Sequence, residues 1–176
     1  NIDAGTWLLH LSNPLTTALN YTSQTKSRIR GYFERSISQQ AVYLFPLGTA
    51  DSYNSLNFNL NSFPVQGSVL SRFVTENPGN SGLPVPDPPV EIFDSYPDGY
   101  WSLRAKGGFS VTDFNISLNA EGFADTIRDV TRVIRRDAGG DWATDGTHRD
   151  AVDNIVNRDN LTGDISPSGT DFAIGR

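Results

Sequence analysis

Apolar and polar positions alternate most clearly within residues 27–48. At 29–37 the odd-numbered positions carry most of the apolar side chains, and the even-numbered positions are mainly charged or polar. This period of two predicts a β-strand with one covered face. A polar break at 38–40 leads to a second short apolar run at 41–45. Two such runs joined by a few polar residues predict a β-hairpin.

Shorter segments with the same alternation predict further strands. They lie at residues 5–11, 56–60, 67–74, 100–106, 109–120, 126–136 and 170–175. The first would direct Trp7, Leu9 and Leu11 into the core, and the strand at 126–136 would carry long basic side chains on an open face. At 109–120 the apolar positions change parity, which a bulge near Thr112 would accommodate.

Two segments lack this alternation. Residues 76–98 are rich in proline, which fixes φ and cannot donate to a sheet, and we interpret them as an extended crossover between sheets. Residues 141–163 are charged and predict a loop, with one or two helical turns at most within 150–157. Roughly nine to eleven short strands separated by turn signals are typical of a sandwich. The predicted fold class is therefore all-β: an antiparallel β-sandwich, immunoglobulin-like or jelly-roll-like, in one domain spanning residues 1–176.

The composition narrows the classes of function. The formal net charge is −6, with 14 Lys and Arg against 20 Asp and Glu, so nucleic acid is not an expected partner. There is no cysteine for a disulfide framework. No apolar run approaches the ~18 residues of a membrane helix, so no membrane span is expected. Methionine is absent even at position 1, and we therefore expect a fragment of a larger exported protein.

No set of residues in the sequence predicts catalysis. His10 and His148 are the only histidines, and no motif supplies a nucleophile for a catalytic triad. Paired carboxylates hydrolyse glycosidic bonds in some enzymes, but 20 acidic residues place some pairs together by chance. We expect His10 to be structural and His148 to lie in a turn or at the surface, and we expect a protein that is not an enzyme.

Five aspartates recur at short intervals in a glycine-containing stretch. They are Asp137, Asp141, Asp145, Asp150 and Asp153. Calcium prefers several oxygens on a flexible loop, so this stretch is the candidate metal site, and no other cofactor is predicted. The spacing differs from that of an EF-hand and lacks its closing glutamate. Solvated turn residues are the alternative interpretation.

Aromatic side chains that are exposed in a row can stack on sugar rings. Tyr100 and Trp142 are the candidate sugar contacts, because the strand pattern does not assign them securely to the core. Most aromatic residues of a sandwich are packing residues, and this is the alternative interpretation for both.

Several short motifs follow one another in a characteristic order. RGYFER at 30–35 precedes YLFPLGT at 43–49, YWSL at 100–103 and DFAIG at 171–175. This order resembles β-rich modules of large cell-surface and secreted proteins of Bacteroidota, which commonly precede the C-terminal sorting domain of the type IX secretion system or lie within adhesin arrays. The resemblance implies export to the surface or medium, with neighbouring modules or other surface proteins as partners. It implies no catalytic residues.

A further short match concerns modification. Asp125, Thr126 and Ile127 resemble the O-glycosylation signal of exported Bacteroidota proteins, which makes Thr126 a candidate modified residue. The expected function is a non-enzymatic structural or adhesion module of a large cell-surface protein, located outside the cell. The alternative is a carbohydrate-binding module attached to a secreted enzyme, with a polysaccharide as its partner.

Overall fold

The computed structural model describes residues 1–20 and 26–176. A short 3-10 helix follows the first strand at Thr16–Ala18. Thirteen strands follow one another along the described chain. They are β1 (Ile2–Leu11), β2 (Ile29–Ile37), β3 (Val42–Phe45), β4 (Leu56–Leu60), β5 (Gly67–Val74), β6 (Val85–Asp87), β7 (Val90–Ile92), β8 (Tyr100–Lys106), β9 (Asp113–Asn119), β10 (Arg132–Asp137), β11 (Thr147–Val152), β12 (Ile155–Thr162) and β13 (Thr170–Gly175).

Most of these strands form two sheets. The six-stranded sheet has the order β1-β2-β5-β8-β13-β10, and the five-stranded sheet has the order β11-β12-β9-β4-β3. Neighbours pair antiparallel except β1 and β2, which are parallel. β6 and β7 form a separate hairpin. The described residues contain no α-helix, and the predicted all-β sandwich is confirmed.

The core lies between the two sheets. Leu56, Phe58 and Leu60 of β4 are buried, and the asparagines between them are only partly buried. β9 shows the same alternation. The rings of Phe58 and Phe114 meet edge to face with their centroids 4.9 Å apart, a preferred aromatic geometry. The strands predicted from this alternation are therefore present, although β9 and β10 begin later than predicted, at Asp113 and Arg132.

The hairpin predicted at residues 27–48 is wrong, although both of its strands exist. β2 pairs with β1 and β5 in the six-stranded sheet, whereas β3 pairs with β4 in the other sheet. The residues between them form an arch across the core. The hydroxyl of Tyr43 closes it, lying 3.3 Å from the backbone nitrogen of Gln39 and 3.2 Å from its carbonyl oxygen. The rings of Phe33 and Phe45 meet inside with centroids 5.9 Å apart. Both strands share one core without pairing.

The proline-rich segment, residues 76–98, does not carry the chain between sheets, so that prediction is wrong. β5 and β8, which flank it, are adjacent antiparallel strands of the six-stranded sheet. The segment folds into the β6–β7 hairpin, which returns over the outer face of this sheet. Ile92 of β7 is buried there with Ile134 and Trp142. The prolines of the segment mark the end of pairing in the sheet. The apolar contact of Ile92 with Ile134 and Trp142 determines the surface on which the segment packs.

The side chain of Trp7 in β1 faces solvent, whereas the prediction placed it in the core. Trp7 is 81% exposed, whereas Leu9 is partly buried against the core. The register of β1 on β2 shifts between Asp3 and Leu8. Gly5 lies within this shift with a φ of +55°, a left-handed conformation that glycine adopts at little cost. The shift breaks the alternation, so the inward assignment of Trp7 is wrong.

Residues 141–163 form β11 and β12 rather than a loop, and no helical turn occurs at 150–157. The two strands turn at Asp153, whose φ is +54°. The prediction is wrong because buried positions of β12 hold Asn157 and Arg158, which conceal the apolar alternation. At 109–120 the parity change is real, but β9 begins only at Asp113. A break in the strand, rather than a bulge, accommodates it.

Candidate functional site

A group of buried charges joins the β6–β7 hairpin to the sandwich. Asp87, the last residue of β6, accepts two hydrogen bonds from Arg158 of β12: Oδ2 lies 2.9 Å from Nη1, and Oδ1 lies 2.8 Å from Nη2. Arg132 of β10 places Nε 3.0 Å from Asp87 Oδ2, although this N–H finds no hydrogen-bond acceptor. All three side chains are buried. We call Asp87, Arg132 and Arg158 the Asp87 cluster.

The hairpin explains why Arg132 is buried. Arg132 has the same strand parity as Ile134, and Ile134 packs beneath the hairpin on the outer face of the six-stranded sheet. That face of β10 is therefore covered. The prediction that the basic side chains at 126–136 lie on an open face is wrong for Arg132.

The two arginines hold the Asp87 carboxyl in its charged form. Burial raises the pKa of Asp87, but the hydrogen bonds and charge of Arg158 and the charge of Arg132 outweigh burial, so this pKa lies below its ordinary value. Burial lowers the pKa of Arg132, and the charge of Asp87 opposes this effect. Because Asp87 is engaged by two cations, it is poorly suited to accept a proton as a general base.

His148 of β11 lies beside this cluster. Its Nε2 is 2.9 Å from Nη1 of Arg132, 3.1 Å from the carbonyl oxygen of Asp129 and 3.5 Å from Oδ1 of Asp150. Arginine can only donate and a carbonyl oxygen can only accept, so the neutral imidazole either accepts from Arg132 or donates to Asp129 at Nε2, and cannot do both. Burial and the charge of Arg132 lower the pKa of His148. His148 thus lies in β11 with its side chain mostly buried beside the Asp87 cluster, so the prediction that it lies in a turn or at the surface is wrong.

Trp142, a predicted sugar contact, instead anchors the proline-rich segment. It is 1% exposed, and its Nε1 donates to the carbonyl oxygen of Gly79 at 2.8 Å. The guanidinium carbon of Arg136 lies 4.2 Å from the centre of the Trp142 ring, a cation–π contact. Tyr100 is partly buried, and the centre of its ring lies 5.7 Å from the guanidinium carbon of Arg136. The burial of Trp142 leaves no exposed ring face for a sugar and contradicts that role.

The five aspartates of the candidate calcium stretch do not converge on one point. Asp137, Asp141 and Asp145 line a cleft of about 380 Å³ that two arginines also line. Each of the three already accepts a hydrogen bond from a hydroxyl or backbone N–H. Asp150 lies in β11 and Asp153 at the following turn. In the described part of the chain, no three acidic or histidine side chains are placed to hold a metal ion. Calcium binding by this stretch stays a prediction.

Thr126 and His10, which the sequence analysis also considered, lie at the surface. Thr126 is exposed between β9 and β10, and its backbone oxygen accepts from the Tyr96 hydroxyl at 3.1 Å. Its glycosylation stays a prediction. His10 is exposed on β1, with Nε2 3.3 Å from Oγ of Ser36 and 3.9 Å from Oε1 of Glu34. Neither residue contacts the Asp87 cluster.

β1 forms an apolar edge of the six-stranded sheet. Among the described residues it pairs with β2 on one side and with no strand on the other. Trp7 is 81% and Leu8 is 51% exposed. Asp3 and His10 are the ionisable side chains among its ten residues. An edge strand presents unpaired backbone donors and acceptors, and with apolar side chains beside them it is a template for another strand.

The other sheet edges have features that discourage pairing. At β10, Arg135 and Ala143 exchange backbone hydrogen bonds of 3.0 and 2.9 Å, so a loop covers this edge. β11 carries the charged residues Arg149 and Asp150. β3 is only four residues long. Covered, charged and short edges are recognised protections against strand addition. β1 is ten residues long, its one acidic side chain is Asp3, and none of the described residues pairs with its outer edge.

Sequence reasoning did not identify Asp87 or Arg158 as site residues. Asp87 stands among prolines, and Arg158 stands in a stretch whose charges predicted a loop. One signal was present: Arg132 has the parity of Ile134 in a predicted strand. A basic residue at a buried position requires an acidic partner, but the sequence does not say which acid.

Comparisons of the chain with protein-family models, curated proteins and solved structures found no match. Among the residues that the structure describes, no helix is long and apolar enough to cross a membrane. The chemistry of the site is therefore inferred from its own residues.

Proposed function

We propose that this chain is a non-enzymatic, extracellular structural or adhesion module of a large bacterial surface protein, and that it assembles with another module through β1. The observation that carries this proposal is the exposed apolar edge of β1 beside Trp7 and Leu8. The order of sequence motifs from residue 30 to residue 175 supports the cell-surface setting.

The interior of the module supports a structural role. The carboxylate of Asp87 and the Nε1 of Trp142 are used in contacts within the protein. These contacts fasten the β6–β7 hairpin to the sandwich, so both groups serve the fold. A firmly held sandwich suits a spacer or adhesion unit.

The partner we propose for β1 is β1 of a second copy of the module. Antiparallel pairing of two identical strands is two-fold symmetric, so one surface serves both partners. This pairing places the Asp3 end of one strand beside the His10 end of the other, so no two like charges of β1 face each other. Trp7 and Leu8, near the middle of the strand, would be covered in both copies.

Light scattering over a range of protein concentrations tests this proposal. We expect reversible association of the unmodified chain and a loss of association of at least tenfold in Trp7→Lys, because a lysine on an edge strand opposes pairing. Phe63→Lys is the matched control, since Phe63 is also an aromatic residue, is 84% exposed and lies outside β1. A strictly monomeric chain, or equal effects of the two variants, would contradict the proposal.

The alternative function is a carbohydrate-binding module of a secreted enzyme. It has less support, because Trp142 is buried and Tyr100 remains as a single, partly buried ring. A polysaccharide screen separates the two functions. Binding that is lost in Tyr100→Ala would favour the alternative.

A further inference from the structure

A small cleft beside the main core is lined by two residues that each have a buried oxygen without a hydrogen-bond partner among the described residues. The two oxygens are Oδ1 of Asn54 and Oδ2 of Asp98. Both residues line the same cleft, which has a volume of about 140 Å³. Buried acceptors in folded proteins are nearly always satisfied by a protein group, a water molecule or an ion. The Asn54 cleft therefore indicates a ligand that two oxygens can bind.

The position of the Asn54 oxygen is determined by its neighbours. Asn54 is 1% exposed, and its Nδ2 donates to the carbonyl oxygens of Asn119 at 3.3 Å and Glu121 at 2.9 Å. Only the amide nitrogen can donate to two carbonyls, so rotating the amide by half a turn would break both hydrogen bonds. Oδ1 is therefore the side-chain atom of Asn54 that has no partner among the described residues. The Nε1 of Trp101 donates to the backbone oxygen of Asn54 at 2.7 Å and holds this residue further.

Asp98 contributes a charge that no basic side chain balances. Its Oδ1 accepts a hydrogen bond from the backbone nitrogen of Ala124 at 2.9 Å, which leaves Oδ2 unpartnered. None of the ion pairs among the described residues involves Asp98. Glu121 also lines the cleft. The charge of Glu121 is balanced by Lys26, whose Nζ lies 2.5 Å from Oε2 of Glu121. The cleft thus has an unbalanced negative charge.

We propose that Asn54, Asp98 and Glu121 form a binding site for Ca²⁺. Amide and carboxylate oxygens are the ligands that this cation prefers, and it accepts water in the remaining positions. A water molecule would satisfy the two unpartnered oxygens but would leave the charge of Asp98 unbalanced. Few protein oxygens imply weak binding, with a dissociation constant on the order of 10⁻⁴–10⁻³ M. The site is distinct from the aspartates at 137–153.

Terbium luminescence tests this site directly. Tb³⁺ binds oxygen ligands as Ca²⁺ does, and excitation of a nearby tryptophan sensitises its emission. Trp101, which is hydrogen-bonded to Asn54, is in position to do this. We expect emission from the unmodified protein that Ca²⁺ displaces, and at least tenfold weaker Tb³⁺ binding in Asp98→Asn.

Asp141→Asn is the matched control. It makes the same change of charge beside another tryptophan, Trp142, and within the other candidate calcium stretch. Unchanged binding in this variant, together with loss in Asp98→Asn, supports the site. No displaceable emission from the unmodified protein overturns it and leaves water as the occupant. Equal effects of the two variants, or loss in Asp141→Asn alone, also overturn it.

Folding of the variant can be checked separately. The side-chain amide introduced by Asp98→Asn keeps an oxygen that can accept the hydrogen bond from the backbone nitrogen of Ala124, so we expect an unchanged circular dichroism spectrum. If that spectrum changes, Glu121→Gln replaces Asp98→Asn as the test variant. In that case at least a threefold loss of Tb³⁺ affinity supports the site, and unchanged affinity overturns it.

Discussion

Asp87 and Arg158 lie 71 residues apart in the chain and form a two-point ion pair with distances of 2.8 and 2.9 Å. The pair connects the tip of the proline-rich segment to the five-stranded sheet, and Arg132 adds a contact from the six-stranded sheet. Three separate parts of the chain therefore meet at one carboxylate. Breaking such a pair leaves buried charge without compensation.

Replacing Asp87 by alanine should destabilise the fold strongly. Two buried guanidinium groups would lose their acidic partner, at a cost of about 3–5 kcal/mol. Urea unfolding of the variant and of the unmodified protein measures the difference in their free energies of unfolding. Asp125→Ala is the control, because Asp125 pairs with Arg176 at the surface and its loss should cost about 0–1 kcal/mol. Similar losses in both variants would show that the Asp87 cluster does not stabilise the hairpin.

Acidification should destabilise the protein through His148. Its pKa in the folded protein lies below the ordinary 6.5, so in this range the unfolded chain binds the proton more readily. The free energy of unfolding should therefore fall as the pH drops below about 6.5, until the lowered pKa of the folded state is reached. Unfolding at about pH 8 and about pH 5.5 measures this change. His148→Gln should reduce it, and an unaltered pH dependence would contradict the prediction.

Trp142→Phe should loosen the proline-rich segment. The variant loses the hydrogen bond to Gly79 and part of the ring that packs on Arg136, with an expected loss of about 1–3 kcal/mol. Limited proteolysis should show faster cleavage within residues 76–98. Tyr100→Phe, which keeps the ring, should have a smaller effect. Unchanged cleavage in Trp142→Phe would show that Trp142 does not hold the segment.

Gly67→Ala should be costly because of packing. A Cβ atom at Gly67 would lie 2.5 Å from the nitrogen of Phe109 and 2.6 Å from the oxygen of Lys106, both backbone atoms. Such overpacking costs about 1–3 kcal/mol. At Gly140 the nearest atom, the oxygen of Asp137, lies 3.1 Å away, so Gly140→Ala should cost less. Thermal melting of the two variants compares them, and equal melting temperatures would refute the packing argument.

Local alternation was sufficient to predict most strands of the two sheets, but not β11, β12 or the β6–β7 hairpin. Phe58 of β4 and Leu103 of β8 both occupy inward positions that the period of two indicates, because that period follows from the strand itself. Strand partners depend on contacts between distant residues. The positions of Phe33 and Phe45 in the sequence therefore predict two strands that face one core. They do not indicate that each strand belongs to a different sheet.

The candidate site was less predictable for a related reason. Asp87 and Arg158 have no local pattern in common, and their pairing exists only after the hairpin folds back over the sheet. The exposure of Trp7 depends on a register shift around Gly5, which the apolar pattern does not indicate. The sequence shows that Trp142 is aromatic, but its burial depends on the proline-rich segment that packs over it.

Hydrogen exchange of the β1 amides as a function of protein concentration is the most direct measurement of assembly through this edge. If two copies pair through β1, amides within Ile2–Leu11 that face away from β2 should exchange more slowly at high concentration. Amides of β11, the charged edge of the other sheet, should be unaffected. Exchange in β1 that is the same at every concentration would contradict pairing through this strand.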